Sequence, residues 1–403
     1  MMTARAPKDS QKNHRENISA DPDVAVVGGS AAGFFTAFLL AREGVSVRVF
    51  EQNETLDPEA RTLIVTSRMK DLLQEAGSAS IVNEIRKFEL FTDGRAATIH
   101  LDAPDLIIER AKLIRSLAEW AERAGAKIHF ARKFRGLTPD ANGITLEMQQ
   151  PGEETTENLS ARVVVGGDGA ASRVAQSAGW PRLETVPLVQ AIVPLPKDMT
   201  PDTVRVWFVP DDTPYFYWLI PESAERGALG LIGEVGSEAR RHLEAFLLKR
   251  KLDAVSFQGA RIPVYRNWVP MRKNLGGGSV FLVGDAAAQV KVSTVGGIVT
   301  GLRGAAGAAE AILGGGSSAE LRQLRRELDL HLLIRRAMHR FTQDDYSRLV
   351  DSLNAPAKRS LSRYSRDEAL KVLWRVCISQ PRLILMGLRG LLTSGRFANR
   401  ADF

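Results

Sequence analysis

The segment Asp23–Gln52 reads DVAVVGGSAAGFFTAFLLAREGVSVRVFEQ: an apolar run, a turn of small residues, a helix-like stretch and a second apolar run. Val24, Val26 and Val27 predict a short buried strand, Phe34 to Arg42 has helical character, and Val45 to Phe50 is β-rich. The turn between them is Gly28, Gly29, Ser30, Ala31, Ala32, Gly33, a G-x-G-x-x-G pattern with Ser30 at the middle glycine. Small residues are required there because a pyrophosphate must lie against backbone N–H groups at a helix N-terminus. Glu51 closes the second strand eighteen residues past Gly33, where a carboxylate accepts hydrogen bonds from adenosine ribose hydroxyls. A glycine-rich turn alone is a weak signal, compatible with a bare βαβ turn. With two strands, a helix and the terminal acid around it, the dinucleotide reading is the stronger one.

Two later segments repeat the strand-then-turn pattern. In ARVVVGGDGAASRVAQSAGW, Val163 to Val165 lead to Gly166, Gly167, Asp168 and Gly169. In VFLVGDAAAQVKVSTVGGIVTGLRGAAGAAEAI, Phe281 to Val283 lead to Gly284 and Asp285, and a Gly296-Gly297 pair precedes an Ala-rich helix. A core needs neither Asp285 after an apolar run nor two adjacent glycines. The bland readings are a helix cap for Asp285 and a loop hinge for the glycines, and they are poor jointly.

Composition bounds the rest. The chain has 403 residues with 44% apolar content, enough for a large core and two domains. A single cysteine, Cys377, excludes an internal disulfide and metal sites built on several thiolates, and suggests a reducing compartment. The six histidines show no metal-ligand spacing; His331 and His339 are better read as surface or core residues. No signal-peptide pattern and no long uninterrupted apolar run is visible, so a cytoplasmic location is expected, possibly peripheral on the inner membrane face. Net charge is +7, and residues 357–403, with ten Lys/Arg against three Asp/Glu, account for all of it. That tail has few aromatics and no nucleic-acid module, so nucleic-acid binding is not expected. Its Leu383, Ile384, Gly387, Leu388, Leu391 and Leu392 form an apolar stripe flanked by Arg382, Arg389 and Arg396. A basic amphipathic segment suits a membrane interface, and packing on the protein's own body is the competing reading.

One nucleotide turn followed by two strand-Gly-Asp turns resembles the flavoprotein hydroxylase superfamily. Within it, Gly284-Asp285-Ala286-Ala287, Val290-Lys291 and Gly296-Gly297-Ile298 are similar to the geranylgeranyl reductase family, as is IIERAKLIRSLAEWAERAGAKI with Arg110. The resemblance covers roughly Asp23 to Leu313. It implies FAD, with the first turn on the pyrophosphate, Asp168 shaping the dinucleotide cleft and Asp285 bonding the ribityl chain. Gly284 belongs to that last turn. Gly296, Gly297 and Ile298 would bring backbone N–H groups and a helix start to the isoalloxazine ring. Arg61 and Arg110 would reach the phosphate or ribityl region; each is also readable as a solvated cation.

The fold class expected is α/β: a three-layer, Rossmann-like FAD-binding domain with an inserted mixed or antiparallel β-sheet substrate domain and a helical C-terminal tail. The boundaries drawn are a disordered leader at 1–22, an FAD-binding domain at 23–186 and 269–316, a substrate domain at 187–268 and a helical region at 317–403. The β-rich runs LVQAIVPL, TVRVWFV, YFYWLIP and ALGLIGEV support the insertion. By resemblance, Tyr215, Tyr217, Trp218 and Pro221 line an apolar substrate pocket, although Phe216 stands where the family usually has Tyr. Any one of these rings is equally readable as core.

The activity implied is reduction of C=C bonds in the isoprenoid chain of a prenyl lipid or quinone, by hydride transfer from reduced flavin N5. The alternatives are an FAD-dependent monooxygenase of the aromatic or polyketide hydroxylase type and, below it, a flavin halogenase. The electron donor expected is NAD(P)H or a ferredoxin-like protein. The cysteine that family members often carry after the second strand is absent from EQNETLDPEARTLIV, so no proton donor or other catalytic residue is assigned.

Overall fold

The computed structural model describes residues 21–314, 316–368, 371, 375, 380, 385 and 387–390. The expected leader thus lies outside the described residues except for its last two, as do Cys377 and most of the apolar stripe. The nucleotide segment folds as read: strand Val24–Val27, helix Ala31–Ala41, strand Val47–Phe50. Every residue of both strands is buried, which a parallel strand covered on two faces requires.

Six strands form the nucleotide sheet, in the order Arg272–Leu275, Gly278–Leu282, Val163–Gly166, Val24–Val27, Val47–Phe50, Lys127–His129. The inner pairings are parallel and only the Arg272–Leu275 edge is antiparallel. Helices Ala31–Ala41, Arg110–Arg123 and Ile298–Leu313 pack together beside this sheet. A small antiparallel sheet, Lys133–Pro139, Ile144–Gln149 and Thr156–Ala161, contributes Phe134, Leu146 and Leu159 to the same core. The expected three-layer domain is therefore present. Arg303 is fully buried within helix Ile298–Leu313 and pairs with Glu320 and Glu327, fastening that helix to Ala319–Met338.

The second sheet has eight strands, ordered Ser256–Pro263, Thr185–Pro194, Arg226–Ile232, Tyr217–Pro221, Thr203–Trp207, Ile81–Thr92, Arg95–Glu109, Thr62–Val65. All pairings are antiparallel except Thr203–Trp207 with Ile81–Thr92. A division at 187–268 does not follow this sheet, because three of its strands come from residues 62–109. Two of them form a hairpin whose Asp93-Gly94 turn has φ of 34° and 73°, the positive pair of a tight hairpin turn. The chain crosses to the second sheet before its middle nucleotide strand, then crosses again.

The two faces of this sheet are covered differently. On the outer face, Tyr217, Leu219, Leu229 and Leu231 pack under Leu243, Phe246 and Leu247 of helix Gly236–Arg250. On the inner face, Val204, Phe208, Tyr215, Trp218 and Ile220 pack with Phe341 and Tyr346. Phe341 precedes helix Gln343–Asp351, which carries Tyr346, and helix Ala355–Arg363 lies on strand Arg95–Glu109. The region after 317 is thus helical where described, and it wraps the sheet instead of projecting from it.

Candidate active site

Three turns meet at the carboxyl ends of the nucleotide strands. Gly28 has φ of 102°, and a Cβ there would lie 2.7 Å from the Gly167 carbonyl oxygen. At Gly33 a Cβ would come 2.4 Å from the Gly28 carbonyl oxygen, so only glycine lets the helix start this close to the strand. Ser30 caps the helix, its Oγ accepting from Gly33 N–H at 3.1 Å. Ala31 and Ala32 open the helix, where backbone N–H groups have no intrahelical acceptor. Glu51 Oε2 accepts from Gly29 N–H at 2.7 Å and Oε1 from Asn53 N–H at 3.0 Å. These bonds fix the carboxylate at the mouth of the turn and leave each oxygen a second lone pair.

Asp168 sits differently. Its Oδ1 accepts from Ser172 Oγ at 2.6 Å and its Oδ2 from Arg173 N–H at 2.7 Å. The carboxylate holds its own following turn, and its backbone packs against Gly28. Asp168 therefore shapes the cleft without presenting a free carboxylate to it.

Asp285 is the reverse case. It opens the short 3-10 turn Gly284–Ala287, and a Cβ on Gly284 would meet Ala32 at 2.9 Å. Among the described residues none donates a hydrogen bond to its carboxylate. Burial pushes that carboxyl up, opposed by the charges of Arg61 and Arg110. Burial and Arg110 push Arg61 down, and Asp285 opposes them. Arg61 and Arg110 are joined by backbone, Arg110 N–H donating to the Arg61 carbonyl at 3.0 Å. The three residues singled out from distant parts of the sequence are thus electrostatic neighbours. Gly297 stands over them: a Cβ there would be 3.4 Å from Asp285 Oδ1. Ile298 begins helix Ile298–Leu313, so the start of that helix faces the same space.

Of the four pocket candidates, the inner face receives Tyr215 and Trp218. Tyr217 is corrected: it stacks on Phe246 at 4.0 Å and donates to Asp212 Oδ2 at 2.8 Å, on the outer face. Pro221 follows Tyr217 by four positions in one strand and shares its side of the sheet. Strand alternation separates residues that were grouped by proximity in sequence. Trp218 Nε1 is buried without a partner among the described residues, and the Arg335 guanidinium lies 3.9 Å over the Tyr215 ring.

A buried ionic cluster borders the loop of Gly296 and Gly297; Lys291 and His331 stood out in the sequence, but their partners Asp367 and Ser293 did not. Lys291 Nζ donates to Asp367 Oδ1, and Thr66 Oγ1 donates to Asp367 Oδ2. Arg366 donates to Asp105 at 2.7 Å, and Ser293 Oγ lies 2.5 Å from His331 Nδ1. A Cβ on Gly296 would sit 4.0 Å from Lys291 Nζ. Burial, the largest single influence, would raise Asp367, but the charge and hydrogen bond of Lys291, with Thr66 and Arg366, together outweigh it and hold the carboxyl at about 2. Burial, then Lys291, push His331 down to about 3. Asp367 comes from the tail, so the C-terminal region reaches back to the loop of Gly296 and Gly297. Gln289 was also missed: its Oε1 accepts from Gly284 N–H at 2.7 Å and braces the Asp285 turn.

A family model described as FAD binding domain matches residues 21–314. The chain belongs to that family. It is an FAD-dependent oxidoreductase with the flavoprotein fold. Digeranylgeranylglycerophospholipid reductase 2 of Methanopyrus kandleri is 26% identical over 302 residues, 70% of this chain and 74% of that protein. The structure of a geranylgeranyl bacteriochlorophyll reductase-like protein from Thermoplasma acidophilum superposes with a TM-score of 0.73 at 19% identity, covering 90% of this chain and 97% of that one. The p-nitrophenol 4-monooxygenase of Pseudomonas putida superposes at 0.62 with 20% identity, covering 92% and 98%. The resemblance to geranylgeranyl reductases seen in the sequence is thus matched by a relative, and the expected fold by a solved structure.

The residues present fit FAD. A half-buried carboxylate without a protein donor, an acid fixed at a glycine turn and a helix start meeting small residues are what a ribityl chain, a ribose and a pyrophosphate need. We expect Asp285→Ala to lower FAD affinity about ten- to hundred-fold, the loss of a charged hydrogen bond. Apoprotein stability should not fall, since no protein donor is orphaned. Equilibrium dialysis and thermal unfolding measure the two; unchanged FAD affinity would contradict the assignment.

His331 sets a pH dependence. The folded protein keeps it neutral down to about pH 3, while the unfolded chain takes up a proton near 6.5. Its contribution is therefore complete above pH 6.5 and is lost as pH falls, by up to about 1.4 kcal/mol per unit. Urea unfolding between pH 7 and 5 should show His331→Gln losing stability less steeply than the native chain. Equal slopes would refute this.

Proposed function

We propose that this oxidoreductase reduces C=C bonds in the isoprenoid chain of a lipid or quinone. The observation that carries the reading is the packing of Val295 against the aromatic inner face of the eight-stranded sheet. Val295 belongs to the loop that holds Gly296 and Gly297. An apolar chain approaching that loop would pass Tyr215, Phe216 and Trp218. The Methanopyrus kandleri relative, named as a digeranylgeranylglycerophospholipid reductase, supports the same substrate class.

When bound, FAD supplies hydride-transfer chemistry at its N5. The chain's own part is to hold the cofactor through Asp285 and the first turn and to exclude water with the inner-face aromatics. Saturating an alkene also needs a proton on the second carbon. This reading assigns it to Lys291 Nζ, which Asp367 keeps beside Gly296. The buried pair also screens that proton from bulk solvent.

A bilayer-resident substrate gives the basic tail a role at anionic lipid. No helix among the described residues is long and apolar enough to cross a membrane. Leu388 of the apolar stripe and the neighbouring Leu385 are described, at 49% and 69% exposure. Co-sedimentation with anionic vesicles should be salt-sensitive, because exposed charges are screened beyond about 10 Å at 0.1 M salt. Sedimentation that survives high salt, or none at low salt, would oppose the role.

The reaction is tested anaerobically, with chemically reduced holoenzyme and a polyprenyl lipid. Mass spectrometry should show a gain of two hydrogens per reduced bond. Trp218→Ala should lower kcat/KM by about tenfold or more, the consequence of losing a buried ring contact. Tyr217→Phe, on the other face, should not. Product that forms only in air and contains added oxygen would establish the monooxygenase alternative.

A further inference from the structure

An open cavity of about 750 Å³ borders the cofactor cleft, away from the aromatic face. Its walls include Arg135, Arg173, Arg182 and Arg261, with Asp168 and Ala286. The arginines come from three separate segments. Arg135 is on the small sheet, Arg173 begins helix Arg173–Ser177 and Arg182 follows it, and Arg261 is on the edge strand of the eight-stranded sheet. All four are exposed. Convergence of four cations on one concavity costs electrostatic repulsion, which acids usually offset.

Here acids do not. Arg135 Nε donates to Gln149 Oε1 at 2.5 Å, Arg182 Nε to Gln176 Oε1 at 3.3 Å and Arg261 Nε to Thr185 Oγ1 at 2.9 Å. These partners are neutral, and they hold each guanidinium by one nitrogen only. Among the described residues no carboxylate lies within ion-pair distance of the Arg173 side chain. The nearby acid Glu184 turns to Arg266 instead. Asp168, the one acid in the wall, is engaged by Ser172 Oγ and by the Arg173 and Val174 N–H groups. Elsewhere among the described residues some arginines are paired, Arg205 with Glu89 and Asp198 and Arg240 with Glu244, and others such as Arg326 and Arg359 are not, so what sets this cavity apart is that four meet in one concavity.

Location adds meaning. Ala286 follows Asp285 directly, and the Asp168 backbone packs against Gly28. The cavity therefore shares its floor with two turns of the cofactor cleft. We propose that this arginine-lined cavity binds a phosphate-bearing small molecule next to the cofactor. Guanidinium groups take phosphate oxygens two at a time, and free N–H groups remain on all four side chains. The volume falls in the range of small-molecule sites. The phosphate could be that of a nicotinamide dinucleotide electron donor or of a lipid headgroup, and the two sources are separable.

The test uses the full chain loaded with FAD. Titration calorimetry is run with inorganic pyrophosphate, with NADPH and NADH, and with a soluble short-chain phosphatidylglycerol. The native protein should bind pyrophosphate, and Arg173→Ala/Arg261→Ala should bind it about tenfold or more weakly with unchanged FAD content. The variant with lysine at both positions keeps the charge, loses the planar fork and should fall between the two. Lys249→Ala/Lys251→Ala, on another surface, should bind as the native chain does. Tighter binding of NADPH than NADH, lost in the alanine variant, identifies a nucleotide donor. Phosphatidylglycerol competing with pyrophosphate where NADPH does not identifies a lipid headgroup. The proposal is overturned if none of the probes binds, if the alanine variant binds them as well as the native chain, or if it loses FAD. The last result would assign the arginines to the cofactor site.

Discussion

Everything in this molecule depends on how closely three backbone turns can approach one helix start. Strand Val24–Val27 is flanked by Val163–Gly166, and Gly278–Leu282 lies beyond it, so the turns after them converge. A Cβ at Gly167 would come 3.1 Å from Gly33 Cα, one at Gly284 2.9 Å from Ala32, and one at Gly301 3.3 Å from Gly284. Small residues at these places are conditions for one packing arrangement. Larger side chains would part the turns and remove the cradle that a pyrophosphate and a ribityl chain need.

This explains which parts of the structure were legible in the sequence. The glycine turns carry their constraint in their composition, so the first domain, Glu51 and Asp285 were readable. The hairpin at Asp93-Gly94 was not read, although Asp-Gly is a strong hairpin signal, because the two flanking strands are rich in charge. The face of the sheet to which a residue belongs is set by alternation from a neighbour of known orientation. Tyr217 and Trp218 are adjacent in sequence and sit on opposite faces. Asp367 could not be read at all. Nothing near it signals a partner 76 residues away, and the contact arises only because the tail helices wrap the second sheet.

The loop from Lys291 to Gly297 links the two halves of the site. Val295 has φ of 54°, a conformation that costs a β-branched residue about 1–2 kcal/mol. It is held there by its N–H donating to the Lys291 carbonyl at 2.6 Å and by its packing on the aromatic face. Lys291 N–H in turn donates to the Gly296 carbonyl at 3.1 Å. Backbone strain of this kind persists where surrounding contacts over-determine a segment. Here the contacts come from the nucleotide domain, the second sheet and the tail together.

The Lys291–Asp367 pair is poorly explained as a stabiliser. Both side chains are almost wholly buried, at 5% and 1% exposure, and desolvation of two ions offsets most of their attraction. A pair of apolar side chains would fill the same space at no such cost. What the ions add is discrimination, since a tail docked with Arg366 in the place of Asp367 would leave Lys291 buried against a like charge. That penalty is several kcal/mol, larger than the difference between alternative apolar packings. The tail is thereby held against the loop of Gly296 and Gly297 in one position. The charges sit where the protein needs a defined geometry, beside a cleft whose other walls are apolar and tolerant of small shifts.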